Sequence, residues 1–326
     1  MQTLEDITVK NASIEFNMVP SERITEISES VAREASSTFN ESFGERSKGR
    51  TTNDSIKEFC TLMDEFIDAT IVGDADVFRG EKLSKEEIGF IAMMTMTTEL
   101  FVTNRAREVK AARLGIKPER DDVGAEAAYR GAIFTHLVAS VFLNNNVTYD
   151  EAKSFWEGLR TINKAATING EEPSTTYIDQ LYRGVMAEVA TAFAIQAGDI
   201  GGKEVYEVLE PSRNDDLRNQ LDLIVVSPSG KRIYVQCKGV ARMEESRVTM
   251  YDPSQNYDWS QSKYDLSRLL DKAYFDRADL ACLVEVGFAS PDLEEYTGVT
   301  TPKGAGQIFN RIKSAVKDLD KESVLA

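Results

Sequence analysis

The chain has 326 residues, of which 42% are hydrophobic and 28% are charged, and this composition is typical of a globular protein of about two domains. Its formal net charge of −16 argues against a protein that coats nucleic acid with its whole surface, but is compatible with a local basic cleft. The longest nearly apolar stretch, residues 131–143, is too short to span a bilayer, and no basic-then-apolar signal segment opens the chain. We therefore expect a cytoplasmic protein with no membrane partner.

Cysteine and histidine are scarce. The three cysteines lie far apart and form no CxxC pair, which argues against a disulfide framework and a thiolate zinc site. The only histidine is His136, so any Ser-His-Asp or Cys-His chemistry would depend on this residue. Its apolar neighbours favour a core histidine that is hydrogen-bonded inside a helix. Catalysis is therefore expected to depend on carboxylates, amides and lysines.

The first half of the chain is predicted to be helical. Apolar residues recur at three- and four-residue spacing in four segments, at 56–72, 85–114, 125–143 and 149–162. Residues 164–175 have the composition of a surface linker. The sequence therefore predicts an all-α N-terminal domain over residues 1–170, for recognition or dimerisation, and a second domain over residues 171–326.

The second half alternates between helical and strand-like patterns. In chain order, the predicted elements are a helix over 176–198, strands over 203–209, 220–226 and 231–238, a helix over 260–275, a strand over 279–288 and a helix over 305–319. The segment Ser227-Pro228-Ser229-Gly230 indicates a hairpin between the second and third strands. A hairpin followed by a helical crossover predicts an α/β domain with a mixed sheet flanked by helices.

Four polar residues of this domain stand where a core-facing pattern would place apolar ones. Asp222 interrupts an apolar strand, and Gln236 and Lys238 are two apart on the next strand, so they project from one face. Glu188 lies at the edge of the apolar stripe of the preceding helix and should face the sheet. A solvent-exposed strand face would give the same alternation, and a half-exposed helix glutamate would equally explain Glu188.

The pattern Asp222-x13-Gln236-x-Lys238, preceded by a helical glutamate, resembles the catalytic signature of the PD-(D/E)XK nuclease superfamily. That family carries an acidic residue on one strand of a hairpin and E-x-K or Q-x-K on the next, and the glutamine variant is similar to the Mrr-type restriction nucleases. Residues 184–192 resemble the family's first core helix, with small residues around Glu188.

The resemblance covers roughly residues 176–290 and implies a mixed-sheet αβββαβ core of the restriction-endonuclease-like fold. It does not extend to the first 170 residues. Two features depart from the family pattern. Leu221 stands where the family name has proline, and glutamine replaces the commoner acid at position 236.

The resemblance further implies a site for Mg²⁺, with Mn²⁺ as a substitute. Asp222 would anchor the ion, Gln236 would contribute its amide oxygen, and the backbone carbonyl of Cys237 would face the same ion. Glu188 would bind through water or hold a second ion. Lys238 would orient the attacking water and offset the charge of the phosphate. Because glutamine lacks the negative charge of the commoner acid, metal binding should be weaker.

The register of the hairpin decides whether these side chains converge. Asp222 opposes Gln236 only if the numbers of paired residues sum to 458, which places Ser227 opposite Lys231 around a three-residue loop. A four-residue loop would turn Asp222 away unless a bulge intervenes. We predict the three-residue loop or a bulge.

Basic residues are candidates for contacts to DNA phosphates. The candidates are Lys110, Arg113, Lys117, Arg242, Arg247 and Lys263. A solvated basic helix face explains the first three equally well, and ordinary surface packing explains the others.

The sequence as a whole predicts a Mg²⁺-dependent endonuclease of the restriction or mobile-element type that cuts double-stranded DNA as a homodimer. A non-catalytic nucleic-acid-binding protein that keeps the fold, or an RNA-processing nuclease, are the alternatives.

Overall fold

A computed structural model gives the fold of the chain. It describes residues 16–43, 51–114, 122–145, 147–167, 173–174, 176–197, 206–241, 243, 246–260, 262–288 and 302–325. Within these ranges, none of the helices is both long and apolar enough to cross a lipid bilayer. The protein is a mixed α/β protein with one five-stranded mixed sheet.

The helices and strands follow each other along the chain with the helices first. They are α1 Ser21–Phe43, α2 Thr52–Val72, α3 Lys85–Leu114, α4 Asp122–Asn144, α5 Tyr149–Lys164, α6 Thr176–Ala197, β1 Glu207–Leu209, α7 Arg213–Asn219, β2 Leu223–Val226, β3 Arg232–Ala241, β4 Arg247–Tyr251, α8 Ser267–Phe275, β5 Leu280–Phe288 and α9 Pro302–Leu325. A short 3-10 helix, Asp76–Phe78, lies between α2 and α3.

The chain divides into two compact units, and α4 contributes to both. The first unit takes the described residues up to Phe134 and those from Asn144 to Ile178, and the second takes Thr135–Leu143 and the described residues from Asp179 onward. The functional division at residue 170 that the sequence predicts stays a prediction.

The first unit is a helical assembly around α3. Nearly every side chain from Phe90 to Ala106 is buried, as expected of a helix that is surrounded by other helices. Local sequence fixes where two of the surrounding helices begin. The side chain of Thr51 caps α2 and that of Thr148 caps α5, and each exchanges hydrogen bonds with an acidic residue three positions on. Gly73 ends α2 in the left-handed conformation, with φ 80°.

The second unit is built on the sheet, whose strand order is β1-β2-β3-β5-β4. Strands β1, β2 and β3 form an antiparallel meander, β3 and β5 run parallel, and β4 pairs antiparallel with β5 at the edge. The parallel pairing is made through α8, which connects β4 to β5 in the sequence. The result is the predicted order of a helix, three strands, a helix and a strand, with α7 and β4 added.

Each face of the sheet has its own apolar cluster. On one face, alanines of α6 and apolar residues of α9 pack against Val225, Ile233, Val235 and Cys237. On the other face, Leu269, Leu270 and Ala273 of α8 belong to a cluster with Tyr234 of β3.

Several predicted boundaries were wrong, and each has a local cause. The predicted strand over 220–226 begins only at Leu223, because residues 213–219 form α7 and Gln220 ends that helix with φ 56°. The helix predicted from residue 260 begins at Ser267, because Ser262 and Asp265 hold the preceding segment in turns through their side chains. Helix α1 and strand β4 were not predicted. Residues 203–205 of the first predicted strand lie outside the described residues.

The predicted register of the hairpin is confirmed. Leu223 pairs with Val235 and Val225 with Ile233, so paired numbers sum to 458. The N–H of Ser227 donates to the carbonyl of Lys231 at 2.9 Å, and Gly230 has φ 83° in the three-residue loop between them. A glycine at this position permits the left-handed turn that closes such a loop.

Candidate active site

Asp222 lies at the point where the hairpin of β2 and β3 opens. Its N–H donates to the carbonyl of Val235 at 2.9 Å, although Val235 is the register partner of the next residue, Leu223. Two successive residues therefore face Val235, which is the arrangement of a β-bulge. The carboxylate Oδ2 of Asp222 accepts a hydrogen bond from the backbone N–H of Cys237 at 2.6 Å. This bond fixes the carboxylate against β3, one residue from Gln236 and one from Lys238.

Glu188 approaches the sheet from α6. Its side chain is only 7% exposed, so it is not the half-exposed helix glutamate that the sequence also allowed. Small residues bring α6 close to the sheet here: Ala187 and Ala190 are buried in the apolar cluster. A Cβ added to Gly239 would stand 2.4 Å from the carbonyl oxygen of Arg183, so the backbones of α6 and β3 nearly touch.

The carboxyl groups of Glu188 and Asp222 interact strongly with each other. Burial raises the pKa of Glu188 well above its ordinary value, and the charge of Asp222 raises it further. Burial also raises the pKa of Asp222 to about 7, against the opposing effect of Lys238. Glu188 is buried and Asp222 is half-buried. Two neighbouring acids in such surroundings resist becoming negative at the same time, so the site favours a cation between or beside them.

Lys238 supplies positive charge without a direct partner. Its charge lowers the pKa of both Glu188 and Asp222, which places the amine within electrostatic reach of both carboxyls. Across the parts of the chain that the structure describes, however, Lys238 forms no ion pair within 4.0 Å. A lysine that is near two acids but bound to neither can contact a further group that enters the site.

Gln236 is buried, with 1% exposure, and its amide is only half satisfied. The Nε2 group donates to Oε1 of Gln220 at 3.0 Å, whereas its own Oε1 is buried and has no hydrogen-bond donor among the described residues. A buried acceptor without a donor costs free energy, commonly about 1–3 kcal/mol, unless a ligand or water completes it. No hydrogen bond joins Gln236 to Asp222 in the described part of the chain, so these two predicted ligands are linked only through the hairpin backbone.

Two further polar groups of the site were not predicted from the sequence. His136, in the part of α4 that belongs to the second unit, lies with its Nδ1 2.9 Å from Oδ2 of Asp216 on α7. The charge of Asp216 raises the pKa of Glu188 and Asp222, and the charge of His136 lowers that of Asp222. The expectation of a core histidine bonded within its own helix was wrong, because the side chain of His136 is 23% exposed and reaches a different helix.

The donor set fits a magnesium ion that keeps part of its water. Among the described residues, no three His, Cys, Asp or Glu side chains converge to hold a metal. Magnesium often needs only one or two protein carboxylates, with water and substrate phosphate completing its coordination. Glu188 and Asp222 provide the carboxylates. Gln236 alternates along β3 with Val235 and Cys237, which face α6, so it belongs to the sheet face of Tyr234 and α8. Its uncompleted Oε1 is an oxygen of the right chemical type, but the structure does not bring it together with Glu188.

The predicted phosphate-contacting residues do not form one described surface. Lys110 and Arg113 belong to the last turns of α3, but their side chains are not described, and Lys117 and Arg242 lie outside the described residues. Arg247 is exposed at the start of β4, opposite Glu285 in the sheet register. Lys263 is exposed, and its Nζ lies 4.7 Å from the ring centroid of Tyr264. Their role in DNA binding stays a prediction.

No family model, curated protein or solved structure matches this chain. The likeness to the PD-(D/E)XK nucleases therefore depends on the residues of the hairpin, the helical glutamate and the order of the elements around them.

Proposed function

We propose that the chain is a Mg²⁺-dependent endonuclease that hydrolyses phosphodiester bonds in double-stranded DNA, with a restriction-endonuclease-like core of the PD-(D/E)XK type. The observation that carries the proposal is the grouping of Asp222, Glu188 and Lys238 where the β2–β3 hairpin opens. The surrounding elements support it, because α6, the β1–β2–β3 meander, α8 and β5 follow the αβββαβ order that the resemblance implies.

Each residue has a role that follows from its position. Asp222 and Glu188 would hold the divalent cation, and the amide oxygen of Gln236 or the carbonyl of Cys237 would add an oxygen ligand. When bound, the cation supplies Lewis-acid stabilisation of the negative charge that develops on the phosphate. Lys238, which has no ion-pair partner among the residues described, orients the attacking water and offsets phosphate charge through its ammonium group.

Cutting both strands requires two such sites, since the hairpin provides one per chain. A symmetric homodimer is the simplest arrangement that presents two identical sites to a duplex. The helical first unit would then serve target recognition or dimerisation.

The proposal is tested with supercoiled plasmid and single-stranded RNA, incubated with the protein and either Mg²⁺ or Mn²⁺. We expect metal-dependent cutting of the plasmid, reduced at least about 100-fold by Asp222→Asn and by Lys238→Ala. Asparagine keeps an acceptor for the Cys237 N–H and removes the charge, so it separates lost chemistry from lost structure. Asp271→Ala and Lys317→Ala remove the same types of charge from exposed positions on α8 and α9 and should cut like the wild type.

Metal binding has a readout that does not need activity. At ten times the dissociation constant, Mg²⁺ should stabilise the wild-type protein by about 1.4 kcal/mol, a rise of a few degrees in the melting temperature, and Asp222→Asn should abolish this rise. Plasmid binding without cutting in either metal would contradict the proposal and favour the non-catalytic alternative. Cutting of RNA alone would identify an RNA-processing nuclease.

A further inference from the structure

His136 and Asp216 form a hydrogen-bonded pair that the roles above leave unused. The Nδ1 of His136 and Oδ2 of Asp216 are 2.9 Å apart, and the two side chains are 23% and 15% exposed. With Nδ1 turned to the carboxylate, the other ring nitrogen, Nε2, has no hydrogen-bond partner in the described ranges. A carboxylate that holds one nitrogen of an imidazole fixes the orientation of the ring and leaves the second nitrogen for a ligand.

The pair belongs to the same electrostatic environment as the proposed metal ligands. The charge of Asp216 acts on both Glu188 and Asp222, and the charge of His136 acts on Asp222. His136 is carried by α4, whereas Lys238 is carried by β3. The backbone places the pair beside α6 as well: a Cβ added to Gly184, one turn before Glu188, would lie 3.8 Å from Cγ2 of Thr135, the residue before His136.

Hydrolysis of a phosphodiester needs a proton for the oxygen that leaves the phosphorus, and the roles above provide none. Imidazole is the side chain that most readily gives and regains a proton near neutral pH. His136 is also the only histidine of the chain.

We infer that His136, oriented by Asp216, donates the proton on Nε2 to the leaving oxygen of the scissile phosphodiester. This inference depends on the proposed nuclease function. The oxygen of water forms a bond to phosphorus, the bond from phosphorus to the leaving oxygen breaks, and that oxygen takes the proton from Nε2. The attacking water releases a proton to solvent, and His136 takes one back from solvent, so the net reaction is hydrolysis. Asp216 holds the orientation of the ring through its bond to Nδ1.

The test compares two oligonucleotide duplexes that differ in one atom. The ends of the cut products first identify which bridging oxygen leaves, and a second duplex then carries sulfur at that position. A thiolate leaves without protonation, so it does not need the proton of His136. We expect His136→Ala to slow cutting of the oxygen substrate by about 100-fold or more, and cutting of the sulfur substrate by less than about fivefold.

Two controls separate chemistry from structure and from metal affinity. His136→Gln keeps an N–H for Asp216 but has no proton to transfer. It should therefore unfold like the wild type and show the same difference between the oxygen and sulfur substrates as His136→Ala. The metal concentration is raised until rates no longer change, because loss of His136 alters the charge around Asp222. Equal slowing on both substrates, or no slowing on the oxygen substrate, would overturn this inference alone. Absence of cutting by the wild type in any metal would remove the proposed function and the inference together.

Discussion

Both units of the protein bury acidic side chains, but they treat them differently. In the helical unit, Glu99 accepts a hydrogen bond from Nη1 of Arg130, whose Nη2 lies 3.6 Å from the sulfur of Cys60. In the sheet unit, Glu188 and Asp222 lie near Lys238 without an ion pair to it. Burial raises the pKa of Glu99 and of Asp222 to about 7 in both cases.

The difference concerns where the compensating charge comes from. The guanidinium of Arg130 forms a direct, hydrogen-bonded pair with Glu99, so the positive partner of this carboxyl is supplied within the protein. The two acids of the sheet unit are also affected by a third acid, Asp216, and neither forms a direct ion pair with the nearby Lys238. An arrangement of this kind is unfavourable by itself and becomes favourable when an external cation binds, which is a common property of active sites.

Removal of the positive partner should produce the largest contrast between the units. Arg130→Met leaves Glu99 buried and uncompensated, and we expect a loss of about 3–5 kcal/mol in the free energy of unfolding at pH 8. Lys238→Met breaks no direct ion pair, so its cost should stay below about 1 kcal/mol while cutting is lost. Urea denaturation followed by circular dichroism measures both values.

A double variant provides the control for this prediction. Adding Glu99→Gln to Arg130→Met removes the uncompensated charge and should restore most of the lost stability. If Lys238→Met destabilised the protein as strongly as Arg130→Met, the lysine would hold the fold together in the same way as the arginine, and the distinction between the two regions would be wrong.

The sequence predicts the elements that carry strong local signals. The bounds of α3 agree with the prediction over residues 85–114, because its apolar residues recur through its whole length. The loop at residues 227–230 combines proline and glycine between two apolar runs, and this predicted the hairpin. The register was predicted as a three-residue loop or a bulge, from the condition that Asp222 must reach Gln236, and the three-residue loop is observed. The paired residues of β2 end at Leu223, and Asp222 contacts β3 through the bulge, which was one of the two predicted arrangements. Part of the candidate site could therefore be predicted from the sequence.

The features that could not be predicted depend on contacts between distant residues or on weak patterns. His136 and Asp216 lie on different helices, and nothing near either residue indicates the other. Helix α7 has seven residues, too few for a period to show. Helix α1 buries Ser28, Ser30, Thr38 and Ser42, which interrupt its apolar stripe. The burial of Glu188 depends on how closely α6 packs against the sheet, which no local pattern records.

The dependence of stability on pH should distinguish burial from ion pairing at Glu99. Burial is the largest effect on this carboxyl and raises its pKa from 4.5 to about 7, although Arg130 lowers it. The folded protein therefore holds the proton more tightly than the unfolded chain. The contribution of the Glu99 carboxyl to the free energy of unfolding should be greatest below about pH 4.5. It should fall by up to about 3 kcal/mol as the pH rises to 7.

The variant Glu99→Gln isolates this contribution. The free energy of unfolding of the wild type minus that of Glu99→Gln should fall between pH 5 and pH 8, whereas Glu86→Gln, at an exposed position on α3, should show no such fall. A difference that rose with pH would mean that the bond to Arg130 outweighs burial. Glu99 would then resemble an ordinary ion-paired carboxylate.

The smallest expected contrast compares one glycine from each unit. A Cβ at Gly239 would meet the backbone oxygen of Arg183 at 2.4 Å, and a Cβ at Gly158 would meet the hydroxyl of Ser28 at 2.3 Å. The backbone of α6 cannot yield without moving Glu188, so Gly239→Ala should cost about 1–3 kcal/mol and also reduce cutting. The hydroxyl of Ser28 can rotate away from its bond to the carbonyl of Ile24, but the Cβ of Ser28, at 3.1 Å, requires a small shift of the helix. Because alanine favours the helix by about 1 kcal/mol and offsets part of this cost, Gly158→Ala should be less destabilising than Gly239→Ala and should leave cutting unchanged. Thermal unfolding and the plasmid assay measure both variants. Normal cutting by a destabilised Gly239→Ala protein would show that the close approach of α6 and β3 serves stability and does not position the glutamate.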